Sequence, residues 1–344
     1  MTGEIPATMR ASVLVSQETI EMQERPVPRP GPGEVLIQVR AVGVCGSDVH
    51  YYREGRIGDM VVEAPLILGH EVSGVIVAVG QGVDEARVGG RVAVDPQRPC
   101  RLCRFCKTGN LNLCRRMRFY ATPPQDGAFA DYVTAPADFT YGIPDSLSDN
   151  AAALLEPFSV GLWACGKAGI SPGARVIISG AGPIGTMAVQ AARAYGATEV
   201  VVTDPVASRR QRIMGFGATA TADPREADFA PEAIEADAFI ECSGAHAAML
   251  DGLSALRPAG TAVMVGLGPE SMSLPVQEIM TKELVVTGMF RYVNTWPSAM
   301  SYAQQPGTDL DRMVTAEYAL EDVEAALAGD DDPETMKSVV VVSR

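Results

Sequence analysis

Residues 175–185 read Arg-Val-Ile-Ile-Ser-Gly-Ala-Gly-Pro-Ile-Gly. Arg175 to Ser179 is a short apolar, β-branched run, as expected of a strand buried on both faces. Gly180-Ala-Gly182-Pro183-Ile184-Gly185 fits G-x-G-x-x-G, and the chain beyond it reads as a helix ending near Gly196. Three glycines alone recur in ordinary turns; the strand before and the helix after give these a specific meaning. Gly180 permits a tight turn, Gly182 lets backbone approach a pyrophosphate, and Gly185 lets helix and strand pack closely. The helix N-terminus, entered through Pro183 and Ile184, presents free N–H groups and a positive dipole end to phosphate.

Val200 to Thr203 is a second strand, and it ends in Asp204, about 20 positions beyond Gly185. A carboxylate there accepts hydrogen bonds from the adenosine ribose hydroxyls and repels a 2′-phosphate, so NAD is expected over NADP. Arg209 is expected on the adenine face, although an arginine there can also receive a 2′-phosphate. Ser208 to Phe216 reads as a helix, Ala238 to Glu241, Thr261 to Val265 and Leu284 to Thr287 as strands, and Ala245 to Leu256 as a helix. Such alternation implies βαβ units around a parallel sheet.

The flanking sequence has another character. Val35, Ile37, Val39 and Ala41 alternate with Leu36, Gln38 and Arg40, while Glu71 to Val79 and Arg91 to Asp95 are further apolar strands. Beyond Gly288 the alternation stops. Ala319 to Ala328 reads as a helix ended by Gly329 and Asp330 to Asp332, and Val339 to Val342 reads as a last strand that could complete the first domain. The expected division is 1–156 with 290–344, and 157–289 between them.

The 344 residues suffice for two domains. Lys and Arg number 28 against 42 Asp and Glu, a net charge of −14 that disfavours nucleic acid as a partner. A composition 47% hydrophobic and 20% charged is globular. Met1 to Arg10 lacks the charged and apolar regions of an export signal, and Val176 to Ala192 is too short and too polar to span a membrane. A cytoplasmic location is therefore expected.

Of 7 cysteines, four form Cys100-x2-Cys103-x2-Cys106-x7-Cys114. In an unexported chain this spacing points to metal rather than disulfides, and four thiolates close a tetrahedral zinc site with no open position. An iron–sulfur cluster is the alternative. Arg98, Arg101, Arg104, Lys107, Arg115, Arg116 and Arg118 surround the cluster and are expected to offset its negative charge. Cys45, in Cys-Gly-Ser47-Asp48-Val-His50-Tyr51, follows a strand, and Gly69-His70-Glu71 precedes one. A thiolate, an imidazole and a carboxylate could share one metal and leave room for substrate, although this spacing alone is weak. His246 and Cys242 read as packing or surface residues and Cys165 as core.

In these segments, taken in order, the chain resembles the zinc-dependent medium-chain dehydrogenases, and more narrowly their sorbitol/xylitol (polyol) dehydrogenase branch. The narrower match lies in CGSDVHYYREGRIG (45–58), EPFSVG (156–161) and FRYVNTWP (290–297). The resemblance implies a GroES-like β-rich catalytic domain, a Rossmann domain and a homotetramer. It implies a catalytic zinc on Cys45, His70 and Glu71, with water or Glu156 completing the shell, and a structural zinc on the four-cysteine cluster. Wider alcohol dehydrogenases carry a cysteine where Glu156 stands. Asp48 would orient His70. Ser47 would accept the hydroxyl proton and pass it through the cofactor ribose to His50. Tyr51, Glu156, Arg291 and Tyr292 would hold the remaining hydroxyls, and Val265, Gly266, Leu267, Met289, Phe290 and Arg291 would line the cofactor. The implied reaction is oxidation of a polyol at a secondary hydroxyl to the ketose, with hydride transfer to NAD. The alternatives are another zinc alcohol or threonine dehydrogenase and a non-catalytic NAD- and zinc-binding protein.

Overall fold

The computed structural model describes residues 5–329 and 334–343. Asp330 to Asp332, expected to end the last helix, and Met1 to Glu4 lie outside the described residues. The chain forms two compact units, 1–156 with 310–344, and 157–309.

In the second unit six strands form one sheet in the spatial order Ala220–Ala222, Glu199–Thr203, Arg175–Ser179, Ala236–Glu241, Leu256–Met264, Val285–Gly288, and every pairing is parallel. This order reverses at Arg175–Ser179, so that strand's C-terminal end is the switch point at which doubly wound sheets bind dinucleotides. The helix Pro183–Ala194 leaves from that end, with Pro183 at its start. Helix His246–Ala255 packs Met249 and Leu253, both fully buried, against Ile177 and Phe239. Each such side chain contributes about 1.5–3 kcal/mol by leaving water.

The first unit is built on Glu34–Gly43. It pairs antiparallel with Glu71–Val79, with Tyr132–Pro136 and with Lys337–Val341. Leu36, expected on an open face, is 2% exposed because both faces of this central strand are covered. Lys337–Val341 also pairs in parallel with Val314–Ala319, so the C-terminal segment does complete the first unit's sheet. The expected helix over 319–328 is a 3-10 turn, Leu320–Asp322, followed by Val323–Ala328.

The return to the first unit comes at 310, not at the expected 290. Residues 290–309 belong with the second unit, to which Tyr302 and Asp309 tie them. Trp296 is 1% exposed and lies edge-on to Tyr292, Tyr302 meets Tyr195, and Asp309 N–H donates to Gln190 at 2.6 Å. Among the described residues no helix is long and apolar enough to cross a membrane.

Candidate active site and metal centres

The pairing of Glu34–Gly43 with Glu71–Val79 places Gly43 opposite Glu71. The first strand therefore delivers Cys45 just past its end, beside the start of the second, where His70 and Glu71 stand. Cys45 caps the helix Gly46–Glu54, and the Asp48 side chain accepts from the Cys45 N–H at 3.1 Å, closing a capping box. The other Asp48 oxygen accepts from Gly69 N–H at 2.9 Å and lies 3.5 Å from His70 Nδ1. One fully buried carboxylate thus braces both ligand-bearing loops.

One ligand atom from each of Cys45, His70 and Glu71 lies within 4.8 Å of the others. Glu71 is fully buried; its Oε1 accepts from Lys337 Nζ at 2.6 Å, and Oε2 is buried without a hydrogen-bond partner. Lys337 also donates to the Val44 carbonyl at 2.6 Å. A Cβ at Gly43 would stand 1.9 Å from Glu71 Oε2, so only glycine leaves that oxygen its place. Burial acts to lower the His70 imidazole, but Asp48 and Cys45 outweigh it and hold the ring well above its ordinary value. Two buried carboxylates (Glu71 and Glu156) and the Cys45 thiol act on the buried Lys337 ammonium, and the spare Glu71 oxygen is costly to leave unpaired. A divalent cation on thiol, imidazole and carboxylate satisfies both the charge and the oxygen, and that mixed donor set suits zinc.

Glu156, in the first turn of Leu155–Lys167, is 4% exposed and its charge acts on Lys337, but its carboxylate stands outside the 4.8 Å group. Ser47 is half-buried in the same helix as His50, whose side chain is 42% exposed with Nδ1 2.9 Å from Glu54. Tyr51, expected to bind substrate, is 2% exposed, packs in the first unit's core and directs its hydroxyl to Met60 Sδ at 3.7 Å. Arg291 and Tyr292 belong to the second unit; the Arg291 guanidinium lies 4.7 Å from the Phe290 ring centre, and Tyr292 is fully buried.

Ligand atoms of Cys100, Cys103, Cys106 and Cys114 form a second group within 4.8 Å. Backbone N–H groups of Leu102 and Cys103 lower the Cys100 thiol to about 6, whereas burial and the neighbouring Cys103 push Cys106 up to about 12. Four sulfurs so close do not all ionise unless a cation joins them, and a closed tetrahedral zinc fits them. Of the surrounding cations, Arg116 donates to Cys100 Sγ at 3.5 Å, while Arg98 and Arg101 pair with Glu34 and Asp138 and Arg115 lies over Phe105.

In the second unit Gly180 adopts φ +91° and a Cβ at Gly185 would stand 1.8 Å from the Gly180 carbonyl, while nothing lies within 4 Å of one at Gly182. The turn is tight where it must be and open where a pyrophosphate would approach. Asp204 is 4% exposed; one oxygen accepts from Ala181 N–H at 2.8 Å and the other from Val206 N–H at 2.7 Å, so it also braces the glycine turn. Arg209 is half-buried in Ala207–Met214. Val265 and Gly266 donate to the Glu241 carbonyl, Leu267 is 64% exposed, and Met289 donates to Met264 O. Sequence reasoning passed over Glu241. Its buried carboxylate accepts from Ser179, Ser243 and Gly244, tying together two loops at the sheet's binding edge. It also passed over Lys337 and gave Gly43, which opens the family-like segment Gly43 to Asp48, no role of its own.

Residues 31–145 match the family model for the alcohol dehydrogenase GroES-like domain, and residues 183–305 that for zinc-binding dehydrogenases. The chain is 43% identical over 335 residues to a sorbitol dehydrogenase of Bacillus subtilis, covering 95% of each. Among solved structures it is similar to L-idonate 5-dehydrogenase of Escherichia coli, with TM-score 0.91 and 30% identity, covering 97% of this chain and 98% of that one. It is also similar to a zinc-binding dehydrogenase of Sinorhizobium meliloti solved with NADP, with TM-score 0.91 and 30% identity, covering 98% and 100%. With both domain models in their order, a relative of this identity along nearly the whole chain and both cysteine-containing centres assembled, the chain belongs to the zinc-dependent medium-chain dehydrogenases, on the sorbitol dehydrogenase branch.

Proposed function

We propose that the protein oxidises a polyol at a secondary hydroxyl to the ketose with NAD as hydride acceptor. The observation that carries this reading is the Cys45–His70–Glu71 group, half-buried at Cys45 and buried at His70 and Glu71, with one Glu71 oxygen held by Lys337 and the other left over. When bound, zinc supplies Lewis acidity toward the reacting hydroxyl and NAD accepts the hydride.

The chain's own residues do the rest. Cys45, His70 and Glu71 hold the metal; Asp48 fixes the His70 ring through Nδ1, leaving Nε2 for the metal. Ser47 receives the hydroxyl proton, and the partly exposed His50, beside Glu54, relays a proton to water. Glu156 is held buried with its carboxylate outside the ligand group, which supports a role toward the substrate's hydroxyls. Arg291 and Tyr292 are assigned to the same task by family resemblance. A site lined with such groups disfavours plain alcohols, which leave its donors and acceptors unpaired. Gly180, Gly182, Gly185 and Asp204 bind the dinucleotide, and the Asp204 carboxylate supports NAD over NADP. Resemblance supports a homotetramer, and a four-cysteine cluster suited to metal supports a cytoplasmic location.

The test is NADH formation across sorbitol, xylitol, ribitol, galactitol, threonine, ethanol and 2-propanol, with zinc measured on the same sample. Turnover confined to polyols is expected. Turnover faster on threonine or simple alcohols overturns the substrate assignment.

A further inference from the structure

The corner that would receive the adenosine ribose is richer in arginine than an NAD site needs. Arg209 and Arg210 stand on Ala207–Met214, and Arg225 follows Ala220–Ala222. Asp204, Asp223 and Glu226 balance these three in charge, but three guanidinium groups in one corner are a composition that could receive a phosphate. The arrangement works against it. Arg225 grips Asp223 through two side-chain bonds, Nε to Oδ1 at 2.9 Å and Nη2 to Oδ2 at 2.7 Å, and adds its own N–H at 3.0 Å. Its Nη2 also donates to the Pro205 carbonyl at 2.5 Å. Arg210 Nη1 donates to Asp223 Oδ2 at 3.1 Å and to the Asp204 carbonyl at 2.6 Å. Asp223 is thus the shared acceptor for two guanidinium groups that touch the backbone of residues 204 and 205. Its side chain is 10% exposed and that of Arg210 17%, whereas Arg225 is 68% exposed. Hydrogen bonds from Arg225 hold the Asp223 carboxyl well below its ordinary range.

We propose that Asp223 is a specificity-determining residue for the dinucleotide: by engaging Arg210 and Arg225 beside Asp204, it withholds both guanidinium groups from a 2′-phosphate. This rests on the NAD reading above and deepens it. Asp204 repels the phosphate, and Asp223 denies it the compensating cations. Arg225 is held mainly by Asp223 and is largely exposed, so loss of that carboxylate leaves its guanidinium mobile beside Pro205. An arginine fork there matches a phosphate in geometry and charge.

The experiment titrates NADH and NADPH by fluorescence against the full-length zinc-loaded protein, its Asp223→Ala and Asp223→Asn variants, and Asp223→Ala/Arg225→Ala. For Asp223→Ala, NADPH is expected to tighten about tenfold relative to NADH, the scale of one charge-assisted contact. Asp223→Asn is expected to show a smaller gain, and removing Arg225 as well to cancel it. An unchanged NADPH/NADH ratio in Asp223→Ala that still binds NADH overturns the proposal. If that variant binds neither cofactor, the Asn variant decides, and an unchanged ratio there overturns it equally. A wild-type protein that prefers NADPH refutes instead the NAD reading beneath it.

Discussion

Lys337 Nζ donates to Glu71 Oε1 at 2.6 Å, and both side chains are buried, 4% and 0% exposed. The contact joins the C-terminal strand to a candidate zinc ligand 266 residues earlier in the chain. It fixes the Glu71 carboxylate by one oxygen and partly balances its charge. Removing one member of a buried ion pair strands the other, at about 3–5 kcal/mol. Lys337→Met is therefore expected to lower the melting temperature and to release zinc to a chelator at least about tenfold more readily, as seen for residues that support metal ligands. Lys337→Arg should restore part of the retention. Equal retention in Lys337→Met and the parent protein would show that the lysine does not position Glu71.

Gly43 gives a second, purely steric test. A methyl group there would overlap Glu71 Oε2 at 1.9 Å, so Gly43→Ala must push the carboxylate away. The expected result is loss of the Cys45–His70–Glu71 zinc and of turnover, with NADH binding retained. Zinc analysis and NADH titration on the same preparation check this.

Asp48 braces Cys45 and Gly69 and lies beside His70. Asp48→Asn preserves size but removes the charge and one acceptor. Zinc affinity is expected to fall about 10–100-fold, the range for outer partners of ligand histidines. Competition with a chromogenic chelator reads this directly.

The four-cysteine cluster predicts a different outcome. Its sulfurs hold the lobe from Cys100 to Cys114, whose regular structure is limited to the four-residue helix Arg104–Lys107 and a 3-10 turn, Leu111–Leu113. Cys106→Ser is expected to speed amide exchange and proteolysis within residues 97–119 while leaving exchange in 175–203 unchanged, because metal binding there is folding energy. Unaltered exchange in 97–119 would argue against a structural metal.

The legible parts of the site share one property: neighbouring residues carry them. The glycine turn at 180–185 is legible from its strand–turn–helix context and the cysteine quartet from its spacing, while His70–Glu71 is a short local motif that gains its meaning from the family resemblance. Gly43 and Lys337 were not legible, because nothing nearby in sequence marks a glycine that makes room for a carboxylate or a lysine delivered by a distant strand. Val314–Ala319 was missed as a strand for a related reason. Its alternation, Val-Thr-Ala-Glu-Tyr-Ala, is weakly apolar, and pairing with Lys337–Val341 defines it. The expected boundary at 290 lies where alternation stops, but the Tyr302–Tyr195 and Asp309–Gln190 contacts keep the chain with the second unit until 309. Asp204 was read for the ribose, and its bond to Ala181, which brackets the glycine turn, emerged only in three dimensions.

The most direct measurement pairs zinc content with polyol-dependent NADH formation for the parent protein and Cys45→Ala. The parent is expected to carry two zinc ions per chain, and the variant one, with turnover lost and NADH binding intact. Two zinc ions and undiminished turnover in Cys45→Ala would contradict a catalytic metal held by Cys45, His70 and Glu71.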